Sequence, residues 1–460
     1  MSLMLSDTIF RAYDIRGVYG EDLDDHAAYW IGKAIGSEVL EHNEADVMVG
    51  RDGRLSTPAL ASCLIDGIRS SGCNVVDLGM LPSPALYFAV CSGRHWASGV
   101  MVTGSHNPRD YNGFKVLLKG KSLGGAELTK LKERVETGNL NYGLGKYKEI
   151  DIKEDYIFEV LRRHAAPNKK FKLVLDFGNG VGGILAPRIF SELGCSITTL
   201  FEDVDGRFPN HHPDPSIPEY MTELKDVVLR EKADFGFAFD GDADRLGVVL
   251  PDGSTIYSDI VLMALAEDLL SRCPGAKILF DVKCTSAVFD VIQRAGGRAE
   301  MCQTGHSPIK AKMRESHALL AGEMSGHFYF QDDWFGVDDP IVAAIRLLRA
   351  VDSGGGKPLD FFNRYPTLFS TPEITVNVAE EKKFVVIERL RRLCVDEPGI
   401  ITDMDGIRID YEDGWGLCRA SNTSPKLVLR FEGASKEALE NIRKRISDKV
   451  EIAMKEALEF

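Results

Sequence analysis

Phe171-Lys-Leu-Val-Leu-Asp-Phe177 running into Gly178-Asn-Gly180 decides the reading of this chain, because the same layout occurs twice more. Ala45-Asp-Val-Met-Val-Gly50 runs into Arg51-Asp-Gly-Arg54, and Ala276-Lys-Ile-Leu-Phe-Asp-Val282 runs into Lys283-Cys-Thr285. A short apolar run bounded by turn residues reads as a buried strand. After each turn comes a stretch with helical spacing: Pro58–Ser70, Ile184–Leu193 and Ser286–Ala295. These stop at or near Gly72, Gly194 and Gly296, the residue that suits the left-handed position ending a helix. A second apolar strand follows each. Later in each unit a further strand ends in a glycine-bearing polar loop. Ala97–Thr103 leads into Gly104-Ser-His-Asn-Pro108, Phe235–Phe239 into Asp240-Gly-Asp-Ala-Asp-Arg245, and Ala318–Ala321 into Gly322-Glu-Met-Ser-Gly-His327. The spacing of about 100 to 125 residues is that of domains rather than of solenoid repeats.

The last part of the chain reads differently. Strand-like Glu373–Val378, helical Glu381–Leu393, strand-like Gly406–Tyr411 and Leu427–Glu432, and a closing helix Lys436–Leu458 follow a linker marked by Pro366 and Pro372. The expected fold is α/β: three related domains with mixed sheets flanked by helices, then a smaller C-terminal α+β domain. The expected boundaries are 1–152, 153–255, 256–366 and 367–460.

Bulk properties agree. A chain of 460 residues with 44% hydrophobic and 27% charged residues is long enough for several packed cores. A net charge of −14 argues against a nucleic-acid partner. It leaves a phosphorylated substrate open, since local charge in a cleft governs binding. The nine cysteines are scattered without a CxxC pair, which fits reduced thiols in the cytoplasm rather than disulfides or a zinc site. No apolar run is long enough to span a bilayer, and no signal-peptide pattern opens the chain, so no membrane association is expected.

Four loops carry recognisable chemistry. In Asp240–Arg245 the carboxylates fall at i, i+2 and i+4, which an extended segment would aim to one side. Crowded carboxylates favour a hard cation with oxygen ligands, and Mg²⁺ fits because it keeps positions for water or a phosphoryl oxygen. Arg245 is suited to gripping a phosphate. An acidic surface turn has the same composition, but the apolar runs on both sides bury its flanks. In Thr103–Pro108, Ser105 follows a glycine that opens access to its hydroxyl, with His106 and Lys115 close in sequence. An ordinary glycine and proline turn looks the same. In Gly322–His327, Glu323 and Ser325 share one side of an extended loop and suit sugar hydroxyls, and His327 can shuttle a proton. Arg419-Ala-Ser-Asn-Thr-Ser-Pro-Lys426 has cationic ends around small polar donors, the composition of a phosphate cradle. Tyr13, Arg16, Lys283 and His306 are weaker candidates.

Taken together and in order, Phe10–Gly17, Thr103–Pro108 with Asn112-Gly-Phe-Lys115, Asp240–Arg245, Asp281-Val-Lys283, Gly322–His327 and Arg419–Thr423 resemble the α-D-phosphohexomutase family over nearly the whole chain. Glu323-Met-Ser-Gly-His327 is similar to the form found in the bacterial phosphomannomutase/phosphoglucomutase subgroup. Phosphoglucosamine mutases typically carry Gln where this chain has Met324.

The resemblance implies four domains around a central cleft, each giving one loop, and transfer of a phosphoryl group between the 1- and 6-positions of a hexose phosphate, mannose or glucose. It implies Ser105 as phosphoserine, and Asp240, Asp242 and Asp244 binding Mg²⁺ together with the Ser105 phosphate. Arg245, Lys115 and His327 would orient the sugar and move protons. Glu323 and Ser325 would read the sugar hydroxyls, with Lys283, His306 and Arg16 as further contacts. Arg419, Ser421, Asn422 and Thr423, helped by Tyr13, would hold the other phosphate. It further implies glucose 1,6-bisphosphate, or its mannose analogue, as activator and intermediate, and a monomer. A phosphoglucosamine mutase and a non-catalytic sugar-phosphate binding protein are the alternatives. One departure is Pro340-Ile-Val, where relatives often have Gly-Ile-Tyr.

Overall fold

The structure is a computed structural model that describes residues 5–93, 98–366, 368–422 and 424–458. Ala97, at the start of one expected strand, Thr367, at an expected boundary, and Thr423, in the expected phosphate loop, lie outside the described residues.

The repeat seen in sequence is a repeat of topology. In the first sheet the shared order is Asn74–Met80, Asp46–Arg51, Gly99–Val102, Tyr111–Leu118, Ile15–Val18, with Tyr147–Glu149 added parallel at the Asn74–Met80 edge and Lys121–Ser122 paired to Tyr111–Leu118. In the second it is Ser196–Leu200, Lys172–Asp176, Phe235–Phe239, Leu246–Val249, Thr255–Ile256. In the third it is Arg298–Cys302, Lys277–Asp281, Leu320–Gly322, Phe328–Phe330, Val337–Asp338. In each sheet the first three strands named are parallel and the next two run antiparallel. Mixed sheets of this kind, flanked by helices, are the fold class expected.

Each sheet therefore makes its parallel-to-antiparallel turn at one place, after Val102, after Phe239 and after Gly322. The loops singled out in sequence leave their sheets at these equivalent carboxyl ends, where α/β sheets present ligand sites. The helices Thr57–Ser70, Ala186–Glu192 and Ala287–Arg294 follow the first strand of each unit. The glycines after them, Gly72, Gly194 and Gly296, all take positive φ (97°, 81° and 80°). The expected helix from Ile184 starts late, because a 3-10 turn occupies Val181–Ile184.

The fourth sheet is antiparallel, in the order Phe369–Ser370, Lys426–Gly433, Gly414–Ala420, Ile407–Tyr411, Ile400–Thr402, with Ile374–Asn377 also paired to Lys426–Gly433. Helices Lys383–Leu393 and Lys436–Leu458 close its core through Val386, Leu390, Ile442, Ile446 and Phe431. The strand Gly414–Ala420 has no counterpart in the sequence reading, because Gly414 and Gly416 dilute its strand signal. A Cβ on Gly416 would lie 2.3 Å from Ile446, so glycine is what lets the last helix close on the sheet.

One apolar interior joins the first three domains. Phe88 and Tyr156 pack around Trp334, and the Phe171, Phe235 and Phe237 rings continue the cluster. The fourth domain has a core of its own. Among the described residues no helix is long and apolar enough to cross a membrane.

His164 sits in the shared interior, 1% exposed, its ring centroid 5.6 Å from that of Trp334. Burial, aided by Arg346 and Arg349, pushes its pKa down to about 3. A depressed pKa means that stability is full above the unfolded value near 6.5 and is lost as pH falls toward 3. Urea midpoints should fall between pH 6.5 and pH 4 more steeply for the wild type than for His164→Leu. Parallel pH profiles would exclude this group as the cause.

Candidate active site

The Asp240–Arg245 segment is not extended. It is a turn in which Ala243 adopts φ 55°, and Asp240 Oδ1 accepts the backbone N–H groups of Asp244 (2.9 Å) and Arg245 (3.1 Å). Alternation along a strand was therefore the wrong reason for convergence. The turn wraps the chain so that oxygens of Asp240, Asp242 and Asp244 lie within 4.8 Å of one another, all buried. The Gly322–His327 segment is likewise a turn, so Glu323 and Ser325 do not share an extended face.

Ser105 enters this cluster from the first domain. Its Oγ donates to Asp240 Oδ2 at 3.0 Å and lies 3.1 Å from His106 Nδ1, and its backbone takes φ 48°. The approach is so close that a Cβ on Gly241 would stand 2.5 Å from the Ser105 carbonyl oxygen. Lys115, on Tyr111–Leu118, reaches Asp242 Oδ2 at 2.6 Å and Asp244 Oδ2 at 2.5 Å. From the third domain His327 Nε2 meets Asp244 Oδ1 at 3.1 Å, while its Nδ1 faces Ser325 Oγ at 3.0 Å and Glu323 Oε1 at 3.4 Å.

The electrostatics divide the carboxylates. Burial, then Asp244 and Asp242, push Asp240 well above the usual carboxylate range. Burial pulls Asp244 the same way, but Lys115 and His327 hold it well below that range. Asp242 is lowered against burial and Asp244 by Lys115 and by the Ser83 hydroxyl. Burial disfavours the Lys115 charge, yet Asp242 and Asp244 lift its pKa well above normal.

A second group of residues gathers at the other end. Tyr13 OH donates to the Thr304 carbonyl at 2.6 Å and accepts from Asn422 Nδ2. Arg419, at the end of strand Gly414–Ala420 rather than in a loop, donates to Asp405 Oδ2 at 3.0 Å. Ser421 Oγ lies 2.9 Å from Ser424 Oγ. His306 packs edge-on to Tyr13. Glu323 connects the two ends, since its Oε2 accepts from the Gly305 N–H at 3.0 Å and its Oε1 accepts from Tyr329 OH.

Two further expected residues flank these groups, one beside each. Arg16 donates to Asn107 Oδ1 at 2.5 Å and pairs with Asp14, beside the serine loop. Lys283 is committed to Glu373 at 2.7 Å.

The sequence reading missed Ser83, which donates to Asp242 Oδ2 at 2.6 Å and opens the helix Ser83–Cys91. It also missed Asp405, Asp52 and Arg54, which act on the site through backbone and charge partners far apart in sequence.

The three carboxylates fit a hard divalent cation. All their donors are oxygen, and Asp242 Oδ1 is buried with no hydrogen-bond partner among the described residues. Arg245 Nε is buried and unpartnered in the same sense, as an anion-binding group would be.

Four successive segments match the family descriptions phosphoglucomutase/phosphomannomutase alpha/beta/alpha domain I (residues 7–141), domain II (154–253), domain III (257–368) and C-terminal domain (373–449). The chain belongs to this family, the α-D-phosphohexomutases. It is 51% identical over 441 residues to a phosphomannomutase/phosphoglucomutase of Pseudomonas aeruginosa, covering 95% of this chain and 94% of that one. It is 45% identical over 450 residues to a phosphoglucomutase of Neisseria gonorrhoeae, covering 96% of each. The crystal structure of a phosphoglucomutase/phosphomannomutase family protein from Burkholderia thailandensis superposes with a TM-score of 0.91 at 45% identity, over 99% of this chain and 98% of that one.

Ser83→Ala removes an outer partner of Asp242 without touching the carboxylates. It should weaken Mn²⁺ affinity about 10-fold or more, read by electron paramagnetic resonance titration. Unchanged affinity would count against the carboxylate turn as the cation site.

Proposed function

We propose that this protein interconverts hexose 1-phosphate and hexose 6-phosphate, glucose and mannose being the sugars, through phosphorylated Ser105. The observation that carries the reading is Ser105 Oγ held 3.0 Å from Asp240 within a buried cluster of carboxylates, Lys115 and His327 drawn from three domains. Phosphoryl transfer depends on positioning and charge stabilisation more than on covalent help from the protein. This site supplies both.

A sugar hydroxyl attacks the Ser105 phosphorus. The P–Oγ bond breaks as the new P–O bond forms, the hydroxyl proton passes to a base, and the Ser105 oxygen recovers a proton. His327 and Lys115, both in contact with Asp244, are the groups placed to exchange these protons. The resulting bisphosphorylated sugar turns end for end and returns its other phosphoryl group to Ser105. Glucose 1,6-bisphosphate, or the mannose analogue, phosphorylates the resting enzyme by the same reverse step. Asp240, Asp242 and Asp244, with a Ser105 phosphate oxygen, would hold Mg²⁺, which when bound neutralises charge on the transferring phosphoryl group.

Arg419, Asn422 and Ser421, with Tyr13, hold the phosphate that is not reacting. Several alternative donors suit a substrate bound in two orientations. Glu323 and Ser325 orient the sugar between the two ends. Pro340 occupies the first turn of helix Pro340–Ser353. The free state of all nine thiols agrees with action in the cytoplasm, and a cleft completed within one chain agrees with a monomer.

Incubation with glucose 1,6-bisphosphate should add one phosphoryl group to the Ser105 peptide, lost on adding excess hexose monophosphate, as read by mass spectrometry. Ser105→Ala should reduce mutase activity to near background with the fold intact. A Ser105 peptide that never carries phosphate would overturn the mechanism. Arg419→Ala should raise KM about 10- to 100-fold, the value of a charged hydrogen bond, with a smaller effect on kcat.

A further inference from the structure

We infer that Arg54 is a positioning residue for Ser105, and that phosphoryl transfer slows when its guanidinium is replaced, even by another cation. The inference rests on Ser105 as the phosphoryl carrier.

The serine loop is held in a conformation it would not keep alone. Ser105 takes φ 48°, in the left-handed region that side chains disfavour. Arg54 lies beneath the loop with its side chain 1% exposed. Its Nη2 donates to the carbonyls of Ser105 (2.7 Å) and Asn107 (2.6 Å), and its Nη1 to those of Pro108 (2.5 Å) and Tyr111 (3.0 Å). One planar guanidinium thus fixes four carbonyls along the loop.

The amides are fixed from the same source. Asp52, paired with Arg54 Nε at 3.3 Å, accepts from Thr103 Oγ1 (2.8 Å) and the Gly104 N–H (3.1 Å), and Thr103 Oγ1 in turn accepts from the Ser105 N–H (2.8 Å). The loop lies directly on the cation: a Cβ on Gly104 would stand 2.5 Å from the Arg54 Cζ. From the second domain the Phe208 ring covers the guanidinium at 5.3 Å. Arg54 therefore ties the nucleophile loop to the domain that carries the acidic turn.

Lysine cannot replace it. An ammonium has three donors on a tetrahedral centre and cannot meet four carbonyls spread in a plane. Loss of the clamp frees Ser105 to leave its strained conformation, and Oγ then departs from its position against Asp240. A displacement of this kind acts on the transfer step and not on sugar binding, because no group at the Arg419 and Tyr13 end contacts Arg54 among the described residues.

The test compares wild type, Arg54→Lys and Phe208→Leu with glucose 1-phosphate, and measures amide exchange across residues 104–108. Arg54→Lys should keep the wild-type near-ultraviolet spectrum, lose about 100-fold in kcat with little change in KM, and exchange faster in the loop. Phe208→Leu, at a half-buried position, should show the same pattern at a few-fold level. A folded Arg54→Lys with wild-type kcat, or with a raised KM at constant kcat, overturns the inference. If Arg54→Lys does not fold, Phe208→Leu decides: wild-type kcat and exchange overturn the inference, and slowed turnover at constant KM supports it. Phosphate labelling of Ser105 in the wild type, run alongside, separates failure of this inference from failure of Ser105 as the carrier.

Discussion

Three carboxylates packed within 4.8 Å of one another, out of contact with water, are the constraint on which this structure turns. Taking charges out of water costs several kcal/mol per ion unless partners replace the lost solvation. No single domain supplies enough of them. Asp240, Asp242 and Asp244 come from the second domain, Lys115 and the Ser83 hydroxyl from the first, and His327 from the third. The charge balance is satisfied only when the three domains are assembled. It is consistent that these domains also share one apolar interior, whereas the fourth domain keeps a separate core. The packing holds the sheets rigid, and the ion pairs then have fixed distances over which to act.

The fourth domain is attached in two different ways. At the back, Arg408 donates to the carbonyls of Val282 (2.7 Å) and Cys284 (2.8 Å), Arg430 donates to that of Lys283, and Glu432 accepts from Ser286 and from Trp415. These side chains are almost fully buried, and Arg408 stacks on the Trp415 ring at 3.9 Å. At the front the contacts are few and partly exposed: Tyr13 with Asn422, Asp405 with the Thr304 N–H at 3.1 Å, and Arg11 with Glu380 at 3.3 Å. An exposed ion pair contributes about 0–1 kcal/mol, while an unpaired buried guanidinium costs far more. Any loosening of this domain therefore costs least at the front, where a ligand would enter.

Much of this was legible in sequence, for a physical reason. A strand that ends at a sheet's carboxyl edge must be apolar along its length and polar at its tip, so Phe235–Phe239 into Asp240 announces both the fold and the loop at once. Helix stops at Gly72, Gly194 and Gly296 mark units because the left-handed position selects glycine. What could not be read is whatever depends on partners distant in sequence. Arg54 looks like a solvated turn residue until the chain brings Ser105, Asn107, Pro108 and Tyr111 onto it. Ser83 has no signature beyond a helix start. The acidic turn was found for its composition but misjudged in shape, because nothing in Ala243 foretells φ 55°.

The two ends of the cleft differ in a way that suits one substrate read twice. The reacting end is over-determined: Ser105, Asp242, Asp244 and Lys115 are buried and each has two or more fixed partners or neighbours, so its geometry cannot adapt without breaking ion pairs. The distal end is built from hydroxyl, amide and guanidinium donors, Ser421, Asn422, Tyr13 and Arg419, which hydrogen-bond in several geometries. Glu323 joins them as a rigid strut, held by Tyr329 on one oxygen and the Gly305 N–H on the other. The proposed mechanism needs precision at Ser105 and tolerance at Arg419 and Asn422. Under the proposed mechanism, a sugar whose two phosphates exchange places is accommodated when tolerance is confined to the Arg419 and Tyr13 end.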